Sequence, residues 1–435
     1  MRIKKIHLGQ FRNLSSASVE LGHGRNILIG QNAQGKSNFL EAIELLATGK
    51  SSRADSDFDL IAWGAKEMHA ELVLEGGRGE EILSFALRQP AASCVAEKGG
   101  QKTQLSCRGS RVERTVKVNE LTQPSAAGLI GRLIVVSFKS QDLNLLRGGP
   151  KFRRDWIDSL ILKLRPSFQE VFSSYQKTIA QRNKLLKTLF EKGKLTVSDQ
   201  DQLLVWDKQL ARFGSRIIKT RLTLLSDLLP LAQDQQEKLS SQREHLSLRY
   251  VFRAPAERSA SLEQVEEPDA DGSTESPLST GPLCAEKLAA MEELDLARTL
   301  LKELKDHRFE ELRRRQSLIG PHRDDIVFCL NETDAASFAS QGQQRSIVLS
   351  LKLAELNCIQ EKLNDLPVLL LDDVLAELDT ARQAQLLLAV EANMQTIITT
   401  THVSGFDPIW LKDARIFTVC QGNINADKSA PASHL

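Results

Sequence analysis

The chain has 435 residues, and its 57 basic and 56 acidic side chains give a formal net charge of +1 at pH 7. This balance excludes a protein that binds nucleic acid through a global positive charge, so any such surface has to be a local patch. The length is sufficient for two or three structural units with sizeable cores. The six cysteines form no C-x-x-C pair, and no apolar stretch reaches membrane-spanning length. We expect no signal peptide, because the first residues are too charged. We therefore expect a reduced, cytoplasmic protein without a membrane contact.

A phosphate-binding motif lies near the N-terminus, where Gly30-Gln31-Asn32-Ala33-Gln34-Gly35-Lys36-Ser37 matches G-x-x-x-x-G-K-[ST] in full. The flanking patterns predict a buried strand at Asn26–Ile29 and a helix at Ser37–Thr48. In that setting the glycines turn main-chain N–H groups inward, and the helix N-terminus adds its partial positive charge. Lys36 adds a full charge toward the β and γ phosphates, and Ser37 offers its hydroxyl to Mg²⁺. The motif predicts a site for ATP.

A second half-site follows far along the chain, where the apolar run Val368–Leu371 ends in Asp372 and Asp373. Asp372 is placed to hold Mg²⁺ through water, and Asp373 is placed where a base can orient the attacking water. A further apolar run, Thr396–Thr401, ends in His402, where a polar side chain can sense a γ-phosphate. Because a phosphate site needs a metal-binding acid beside it, the chain has to fold back and bring the two motifs together.

A third motif combines a serine, a glycine and an apolar helix, in Ser340-Gln341-Gly342-Gln343 followed by residues 346–356. Ser340 can cap this helix, and Gly342 allows a close main-chain approach, so its N-terminus can bind an anion. One helix already serves the phosphates within the subunit, and a second suggests binding across a dimer interface. An ordinary serine-capped core helix explains the same residues equally well.

The periodicity divides the chain into segments. Residues 1–150 show short runs in which apolar and polar residues alternate, and we expect them to form the N-terminal part of a nucleotide-binding head. Residues 151–310 show apolar residues at helical spacing, which predicts an arm of two long antiparallel helices with a polar turn near 191–198. Residues 311–424 return to the head. The Ser-, Pro- and Glu-rich segment at about 255–282 and the tail at 425–435 are predicted to be disordered, and residues 89–111 are predicted to form a loop.

Candidate contacts with DNA come from three short basic stretches, at residues 147–154, 181–187 and 313–315. A solvated helix face explains each stretch as well. The charged turn Gly320–Asp325 either orders the head or touches DNA, and the residues alone leave both possibilities open.

Taken in this order, the motifs resemble the ABC-type ATPase heads of the SMC-like group and, within it, the RecF family of DNA replication and repair proteins. The resemblance extends to further segments, namely Leu8–Leu14, Ser51–Arg53, Leu60–Gly64, Phe138–Leu143, Arg147–Pro150, Gln181–Lys187, Trp206–Leu210, Gly320–Asp325 and Leu371–Asp379. It implies an α/β fold in which a RecA-like P-loop core and an antiparallel β part form the head. It also implies an inserted α-helical arm that is similar to a short SMC coiled coil.

The resemblance also implies roles for individual residues. ATP would be bound by Gly30, Gln31, Asn32, Ala33, Gln34, Gly35, Lys36 and Ser37, with Arg12 near the nucleotide, and Mg²⁺ would be bound by Ser37, Asp372 and the lid-loop Gln141. Catalysis would depend on Lys36, Asp373 and the switch residue His402. The signature motif would consist of Ser340, Gln341, Gly342 and Gln343, and Asp379 would be the D-loop residue. Gln141 stands where the family usually has an acidic residue. Asp373 stands where transporter heads usually have Glu, as is common in RecF-like sequences.

The activity implied by the resemblance is that of a weak, DNA-dependent ATPase acting in recombinational repair and replication. MgATP would drive a head-to-tail homodimer that closes on duplex DNA at gaps or single-strand/double-strand junctions, and slow hydrolysis would release it. Recombination mediator proteins would then help to load a recombinase. Three alternatives stay open: another SMC-like ATPase, an ABC ATPase subunit without a DNA role, and an ATP-bound scaffold without turnover.

Overall fold

The computed structural model describes residues 1–77, 79–89, 112–240, 243–252, 291–374, 378–390, 393–402, 411 and 414–426. The chain divides into two compact units, one formed by Met1–Ser140 with Ile359–Leu435 and the other by Gln141–Cys358. The segment boundaries expected from periodicity stay a prediction. The predicted disordered insertion at 255–282 and nearly all of the predicted loop at 89–111 lie outside the described residues.

The first unit contains an antiparallel six-stranded sheet whose strands alternate between buried and exposed side chains. Its spatial order is β2-β1-β4-β5-β6-β7, with bounds β1 Arg2–Phe11, β2 Leu14–Glu20, β4 Glu67–Gly76, β5 Gly79–Arg88, β6 Glu113–Val118 and β7 Leu121–Thr122. In β4, Met68, Ala70, Leu72 and Leu74 all point into the core. This period of two is the alternation noted in the sequence of residues 1–150.

The second sheet of this unit is parallel except at one edge, and its order is β15-β14-β3-β13-β12-β8. Its strands are β3 Arg25–Ile29, β8 Val135–Lys139, β12 Val368–Asp372, β13 Thr396–Thr400, β14 Arg415–Cys420 and β15 Asn423–Ala426. The strands predicted from unbroken apolar runs are confirmed. Their runs are unbroken because a parallel sheet is buried on both faces. The tail expected from residue 425 onward is corrected at its start, since Asn425 and Ala426 pair with β14.

Helix α1, Lys36–Thr48, joins the two sheets into one hydrophobic core. It contacts β1, β4 and β5 of the antiparallel sheet and β12 and β13 of the parallel sheet. Phe39, Leu40, Ile43 and Leu46 are buried along it. The glycine loop before α1 is therefore anchored to the core of the whole unit. The short helix α10, Thr380–Ala389, and the 3₁₀ helices Asp57–Leu60 and Ala126–Leu129 complete the described part of the unit.

The second unit is mainly helical, with a three-stranded antiparallel sheet in the order β11-β10-β9. Its elements are the 3₁₀ helix Ser140–Leu143, α2 Asn144–Arg147, α3 Pro150–Leu164, the 3₁₀ helix Pro166–Phe168, α4 Gln169–Lys192, α5 Val197–Ser240, β9 Leu246–Val251, α6 Glu293–Asp306, α7 Arg308–Arg314, β10 Asp325–Leu330, β11 Thr333–Asp334, α8 Ala335–Phe338 and α9 Gln341–Leu363. Helix α9 continues past the end of this unit into the first. No helix in the described ranges is long and apolar enough to cross a membrane.

The long helices of the second unit follow the predicted arm, with one difference. Helices α4 and α5 pack against each other. Helix α4 ends at Lys192, and the next residue, Gly193, has a left-handed main-chain conformation within the predicted turn. The helix expected from residue 151 onward is broken at Arg165, where φ is −138°. Pro166 explains the break, because proline disfavours a helical conformation in the residue before it and lacks a main-chain N–H.

A buried ion cluster in the second unit contains an arginine of the basic stretch 181–187. Arg182 has no exposed surface, and its Nε and Nη2 donate to Asp207 at 2.8 Å and Glu311 at 2.5 Å. Its Nη1 donates to Ser317 Oγ at 2.8 Å. Burial opposes the charge, but Glu311 and Asp207 outweigh it and raise the pKa of Arg182. The guanidinium of Arg182 therefore links helices within the protein and is not exposed to solvent.

The turn Gly320–Asp325 is part of the same buried polar interior, which favours its ordering role. Asp325 accepts hydrogen bonds from Arg153 Nε and Nη2 at 2.7 and 2.8 Å. Asp324 accepts a hydrogen bond from Tyr250 Oη at 2.9 Å, and both aspartates are buried. A carboxylate in this position can stabilise the fold only while its partner remains, because a lone buried charge is costly.

His322, in this turn, is held neutral by its surroundings. Its Nδ1 lies 2.8 Å from Tyr175 Oη, and its Nε2 lies 3.2 Å from the main-chain oxygen of Ser317. A neutral imidazole with a proton on Nε2 satisfies both contacts, since the phenol donates and the carbonyl accepts. Burial, with smaller contributions from the nearby charges of Arg323, Arg154 and Arg182, lowers the pKa of His322 to about 4, although the hydrogen bond to Ser317 opposes this shift.

We predict that His322 makes the protein acid-sensitive between pH 6.5 and 4. The unfolded imidazole takes up a proton near pH 6.5, whereas the folded one stays neutral, so stability falls as the pH falls through this window. His322→Gln should reduce the loss in free energy of unfolding between pH 7 and pH 5 by about 2 kcal/mol, measured by denaturant titration. His69→Gln, at an exposed position, is measured in parallel as the control for the substitution itself. An unchanged pH dependence in His322→Gln would contradict the assignment.

Candidate functional site

Three neighbouring parallel strands bring the predicted motifs to one edge of the second sheet. β3 ends at Ile29 and leads into the glycine loop, and β12 ends at Asp372. β13 lies between them and ends at Thr400, just before His402. Because the carboxyl ends of parallel strands lie at the same edge, the chain returns to the glycine loop as expected. This edge is where ligands bind in open α/β sheets.

The glycine loop has a conformation that its sequence requires. Gly35 has φ of 111° and caps α1. A Cβ at this position would lie 2.9 Å from Asn13 Oδ1 and 2.8 Å from Leu14 Cδ2. Asn13 also donates from Nδ2 to the main-chain oxygen of Ala33 at 3.2 Å. The turn between β1 and β2 therefore supports the loop from one side, and only glycine fits there.

Lys36 lies at the centre of the loop, with its ammonium group turned inward. Its Nζ donates to the main-chain oxygens of Gly30 and Gln31 at 2.6 and 2.9 Å. Burial lowers the pKa of Lys36, while Asp373 and Asp372 oppose this shift. The lysine is thus a desolvated cation beside two carboxylates, and an anionic phosphate would strengthen its charged form.

Ser37 and Asp372 meet directly. Ser37 Oγ donates to Asp372 Oδ1 at 2.6 Å, and the same oxygen accepts a hydrogen bond from Thr399 Oγ1 at 2.8 Å. A hydroxyl beside a carboxylate is the type of oxygen pair that suits Mg²⁺, which keeps several waters and takes few protein ligands. Within the described ranges, no group of three or more His, Cys, Asp and Glu side chains can hold a metal by itself. The residues therefore fit a magnesium ion shared with phosphate oxygens.

Thr399 is a residue that the sequence analysis missed. Its hydroxyl contacts Asp372 and also accepts the main-chain N–H of Asp373 at 3.0 Å. It thereby orients both acids from the neighbouring strand. The sequence offers only a weak signal, namely a threonine among several threonines in an otherwise apolar strand.

Asp373 has an uncommon main-chain conformation, with φ of 53°. Residues other than glycine rarely adopt this left-handed region, although aspartate tolerates it better than most. Unusual conformations of this kind concentrate at functional sites, where the surrounding structure maintains them. The half-buried carboxylate also acts electrostatically on Lys36, so it faces the region of the glycine loop.

Arg12 is held by a second residue that the sequence analysis missed, Glu41. Arg12 Nη2 and Nε donate to the two carboxylate oxygens of Glu41 at 2.7 and 3.1 Å. Ser51 Oγ donates to the same carboxylate at 2.5 Å, and the Glu41 side chain has no exposed surface. Arg12 directly precedes Asn13, which contacts the loop, and it lines an open pocket together with Arg53 and the fully exposed Trp63. The sequence signal for Glu41 was an acidic residue on the face of α1 that carries the apolar core residues.

The hairpin between β14 and β15 supports the glycine loop from the other side. The main-chain N–H groups of Gln421 and Gly422 donate to Gln34 Oε1 at 2.6 Å and Gln34 O at 3.1 Å. Gly422 has φ of 79°, and a Cβ there would lie 2.2 Å from Asn13 O. A Cβ on Gly30 would lie 2.3 Å from Val419 O. The loop is therefore enclosed by main chain from two distant parts of the sequence.

Two further predicted residues of the first unit make local hydrogen bonds. Asp379 caps α10 by accepting the N–H of Arg382 at 2.9 Å. His402 is exposed, and its Nδ1 lies 2.8 Å from Thr401 Oγ1. Their roles at the D-loop and the switch position stay predictions. Ala376 and Glu377, which link Asp373 to Asp379 in the motif, lie outside the described residues.

The predicted signature and Gln141 belong to the second unit. Ser340 caps α9 as predicted, in a reciprocal pair: Gln343 N donates to Ser340 Oγ at 3.3 Å, and Ser340 N donates to Gln343 Oε1 at 2.8 Å. Gln343 Nε2 also donates to Glu244 Oε1 at 2.9 Å. Ser340 and Gln341 are exposed, and Gly342 is half-buried. Gln141 lies in the 3₁₀ helix Ser140–Leu143, and both functional assignments stay predictions.

Comparison with known proteins supports one group of relatives. The model of the RecF/RecN/SMC N-terminal domain family matches residues 2–407. A DNA replication and repair protein RecF from Microcystis aeruginosa is 38% identical over 429 residues, covering 98% of this chain and all of the relative. Another protein of that name, from Thermosynechococcus vestitus, is 39% identical over 424 residues, covering 98% of this chain and 97% of its own.

A solved structure, described as the recombination mediator protein RecF with ATP in the RecFOR pathway, is similar along nearly the whole chain. It has a TM-score of 0.77 and 28% sequence identity, and the match covers 98% of this chain and 97% of that one. The predicted fold class is confirmed: an α/β, ABC-type P-loop ATPase head with an inserted helical part.

We predict that Gly422→Ala destabilises the first unit through its contact with the glycine loop. The added methyl group meets Asn13 O, and the left-handed conformation disfavours alanine, so the free energy of unfolding should fall by about 1–3 kcal/mol. Gln421→Ala is the matched control, since Gln421 contacts the loop through its main chain. Equal stability of the two variants in denaturant titrations would show that the hairpin does not brace the loop.

Proposed function

This chain belongs to the RecF family, and from that premise we propose that it is an ATPase that uses MgATP to control its binding to duplex DNA. The observation that carries the proposal is the contact between Ser37 and Asp372, at 2.6 Å, beside the buried Lys36. This contact joins the two halves of a nucleotide site from opposite ends of the sequence. The names of its relatives, which are DNA replication and repair proteins, support the choice of DNA.

The residues of the glycine loop would bind ATP. The main chain from Gly30 to Ser37 would surround the β and γ phosphates, and Lys36 would exchange its present contacts with loop carbonyls for phosphate oxygens. Ser37 and Asp372 would hold Mg²⁺, which when bound neutralises charge on the phosphate oxygens. Arg12, fixed by Glu41, supplies a cation whose position is set before the nucleotide arrives. Gln141 would be a further ligand on the lid loop.

Hydrolysis would depend on Asp373 and His402. Asp373 is the acid placed to orient the attacking water, and its main chain is held by Thr399. His402 follows the neighbouring strand and would contact the γ-phosphate. A carboxylate one methylene shorter than glutamate reaches less far toward this water, so we expect slow turnover.

Dimerisation would complete the site. Ser340, Gln341, Gly342 and Gln343 of one subunit would face the γ-phosphate held by the other, with Asp379 at the same interface. The exposed, capped N-terminus of α9 supports this role, because its main-chain N–H groups and helix dipole favour an anion. The closed homodimer would bind gapped duplex or single-strand/double-strand junctions, and loss of the γ-phosphate would release it. A relative described as a recombination mediator in the RecFOR pathway supports partnership with mediator proteins.

We predict that Lys36→Met and Ser340→Arg separate nucleotide binding from dimer closure. Lys36→Met should lose ATP affinity and, with it, the dimer. Ser340→Arg should keep ATP affinity but block the interface by its size. Wild type should bind duplex DNA at least about tenfold more tightly with ATP than with ADP or no nucleotide, measured at fixed salt, and both variants should lose this difference.

Ser340→Ala is the control for the loss of the helix cap, and its stability should match that of Ser340→Arg. Light scattering gives the oligomeric state of each protein. A Ser340→Arg protein that dimerises normally with ATP would reject the interface, and DNA affinity indifferent to nucleotide would reject the DNA-binding cycle.

We further predict that Asp373→Asn slows ATP hydrolysis by about 100-fold or more, because the amide cannot accept a proton from water. ATP affinity and dimerisation should remain. Dissociation of the protein from labelled duplex in the presence of ATP should slow in parallel with hydrolysis. If hydrolysis stops but dissociation keeps its wild-type rate, the protein is an ATP-bound scaffold and turnover has no part in release.

A further inference from the structure

Several arginines of the three basic stretches predicted from the sequence make contacts within the protein. Arg153 pairs with Asp325, and Arg182 pairs with Asp207 and Glu311. In the third stretch, Arg314 pairs with Glu310, and Arg315 lies over the ring of Phe190 at 4.3 Å. The paired arginines are therefore not available to DNA, although exposed lysines of the stretches are.

Helix α5 presents a different basic surface, formed by Lys208, Arg212 and Arg216. All three side chains are exposed. Successive members are four residues apart, so they lie on one face of the helix with a rise of about 6 Å between them. From Gln202 to Ser226 the only carboxylate on the helix is Asp207, which is buried against Arg182 and Arg308. We call these three residues the α5 basic face.

Three other exposed cations of the unit have acidic partners, unlike the α5 basic face. Lys238 pairs with Asp234, Arg298 with Asp295 and Arg314 with Glu310, each within one or two turns of its own helix. Within the described ranges no carboxylate lies within ion-pair distance of Lys208, Arg212 or Arg216. Unpaired cations held in a row repel each other, so an anionic ligand that bridges them would be favoured.

Aromatic rings hold the two arginines in place. The guanidinium of Arg216 lies 5.8 Å from the centre of the Phe168 ring, and that of Arg212 lies 5.9 Å from the centre of the Phe213 ring. Such contacts restrict the side chains without neutralising their charge. The cost in side-chain entropy of binding a ligand is therefore smaller than for free arginines.

The chemistry of this face favours nucleic acid over a protein. Protein interfaces have an apolar core, whereas protein–DNA interfaces are polar and strongly positive. On α5, the last exposed large apolar residue is Val205, before the face begins. One helical turn away from the three cations, the exposed neighbours are Val205, at the start of the face, and Gln209, which is polar and uncharged. The face offers hydrogen-bond donors and positive charge, as a phosphate backbone requires.

We propose that the α5 basic face binds the phosphate backbone of duplex DNA. The proposal rests on the proposed function, and it identifies where the helical unit makes that contact. Phosphate contacts contribute affinity without reading sequence, and they release counterions. The contact is therefore independent of DNA sequence and sensitive to salt.

The test compares wild type with Lys208→Gln/Arg212→Gln/Arg216→Gln on a blunt DNA duplex in the presence of ATP, over a range of NaCl concentrations. Each lost phosphate contact reduces the slope of log K against log salt by about 0.9, so the slope should fall by about 2.7 for one engaged subunit. Affinity at physiological salt should fall at least tenfold. Affinity for ATP should stay at the wild-type value.

The matched control is Lys238→Gln/Arg298→Gln/Arg314→Gln, which removes the same charge from exposed but paired positions of the unit. Its salt slope should equal that of wild type. Equal loss in both triple variants would indicate a general field effect and overturn the proposal, as would an unchanged slope in the α5 variant. An α5 variant that keeps DNA binding but loses an acidic peptide ligand would assign the face to a protein partner instead.

Two further measurements keep these outcomes separate. If wild type itself does not bind duplex DNA with ATP, the proposed function fails before the α5 basic face is tested. If the triple variant is less stable in denaturant titrations, the single variant Lys208→Gln replaces it in the salt titration. Lys208 makes no aromatic contact in the described ranges, so this substitution removes charge without removing a ring contact. Its expected slope change is about 0.9, and no change would again overturn the proposal.

Discussion

The contact between Ser37 and Asp372 is the constraint on which the first unit depends. These residues lie at opposite ends of the sequence, and each follows a strand of the same parallel sheet. To make the contact, the chain has to leave the sheet after β8 and re-enter it at β12, two strands away from β3. The segment between these strands forms a separate compact unit, so the insertion leaves the strands that carry the glycine loop and Asp372 in one sheet.

The inserted unit is held together by a different kind of interaction. Its interior contains ion pairs with little or no exposed surface, such as Arg182 with Asp207 and Arg153 with Asp325. Buried pairs add little net stability compared with apolar residues, but breaking one partner is costly. Long helices with repetitive leucine faces can slide by a turn, and paired charges penalise every wrong register. The ion pairs thus specify how the helices align, while the apolar residues supply most of the driving force.

The sequence was sufficient for features that depend on local pattern. The glycine loop, α1 and the strands at residues 368–372 and 396–400 were predictable because their periodicity and motifs lie within short windows. Contacts between residues far apart in the sequence were not predictable. The sequence around Arg182 is typical of an exposed helix face, and only the structure shows that Asp207 and Glu311 surround this arginine. Glu41 and Thr399 were missed for the same reason, since their partners belong to other elements. The α5 basic face escaped notice because its residues are four apart and form no run.

The hairpin at Gln421 and Gly422 has a consequence for the order of events during synthesis. The glycine loop is among the first segments to leave the ribosome, yet the main-chain groups that donate to Gln34 are added after more than ninety per cent of the chain. A nascent chain carries the full loop sequence without the brace that shapes it. Such a chain lacks these hydrogen bonds until β14 and β15 have been translated, so the finished geometry of the loop requires the C-terminal hairpin as well as the N-terminal motif.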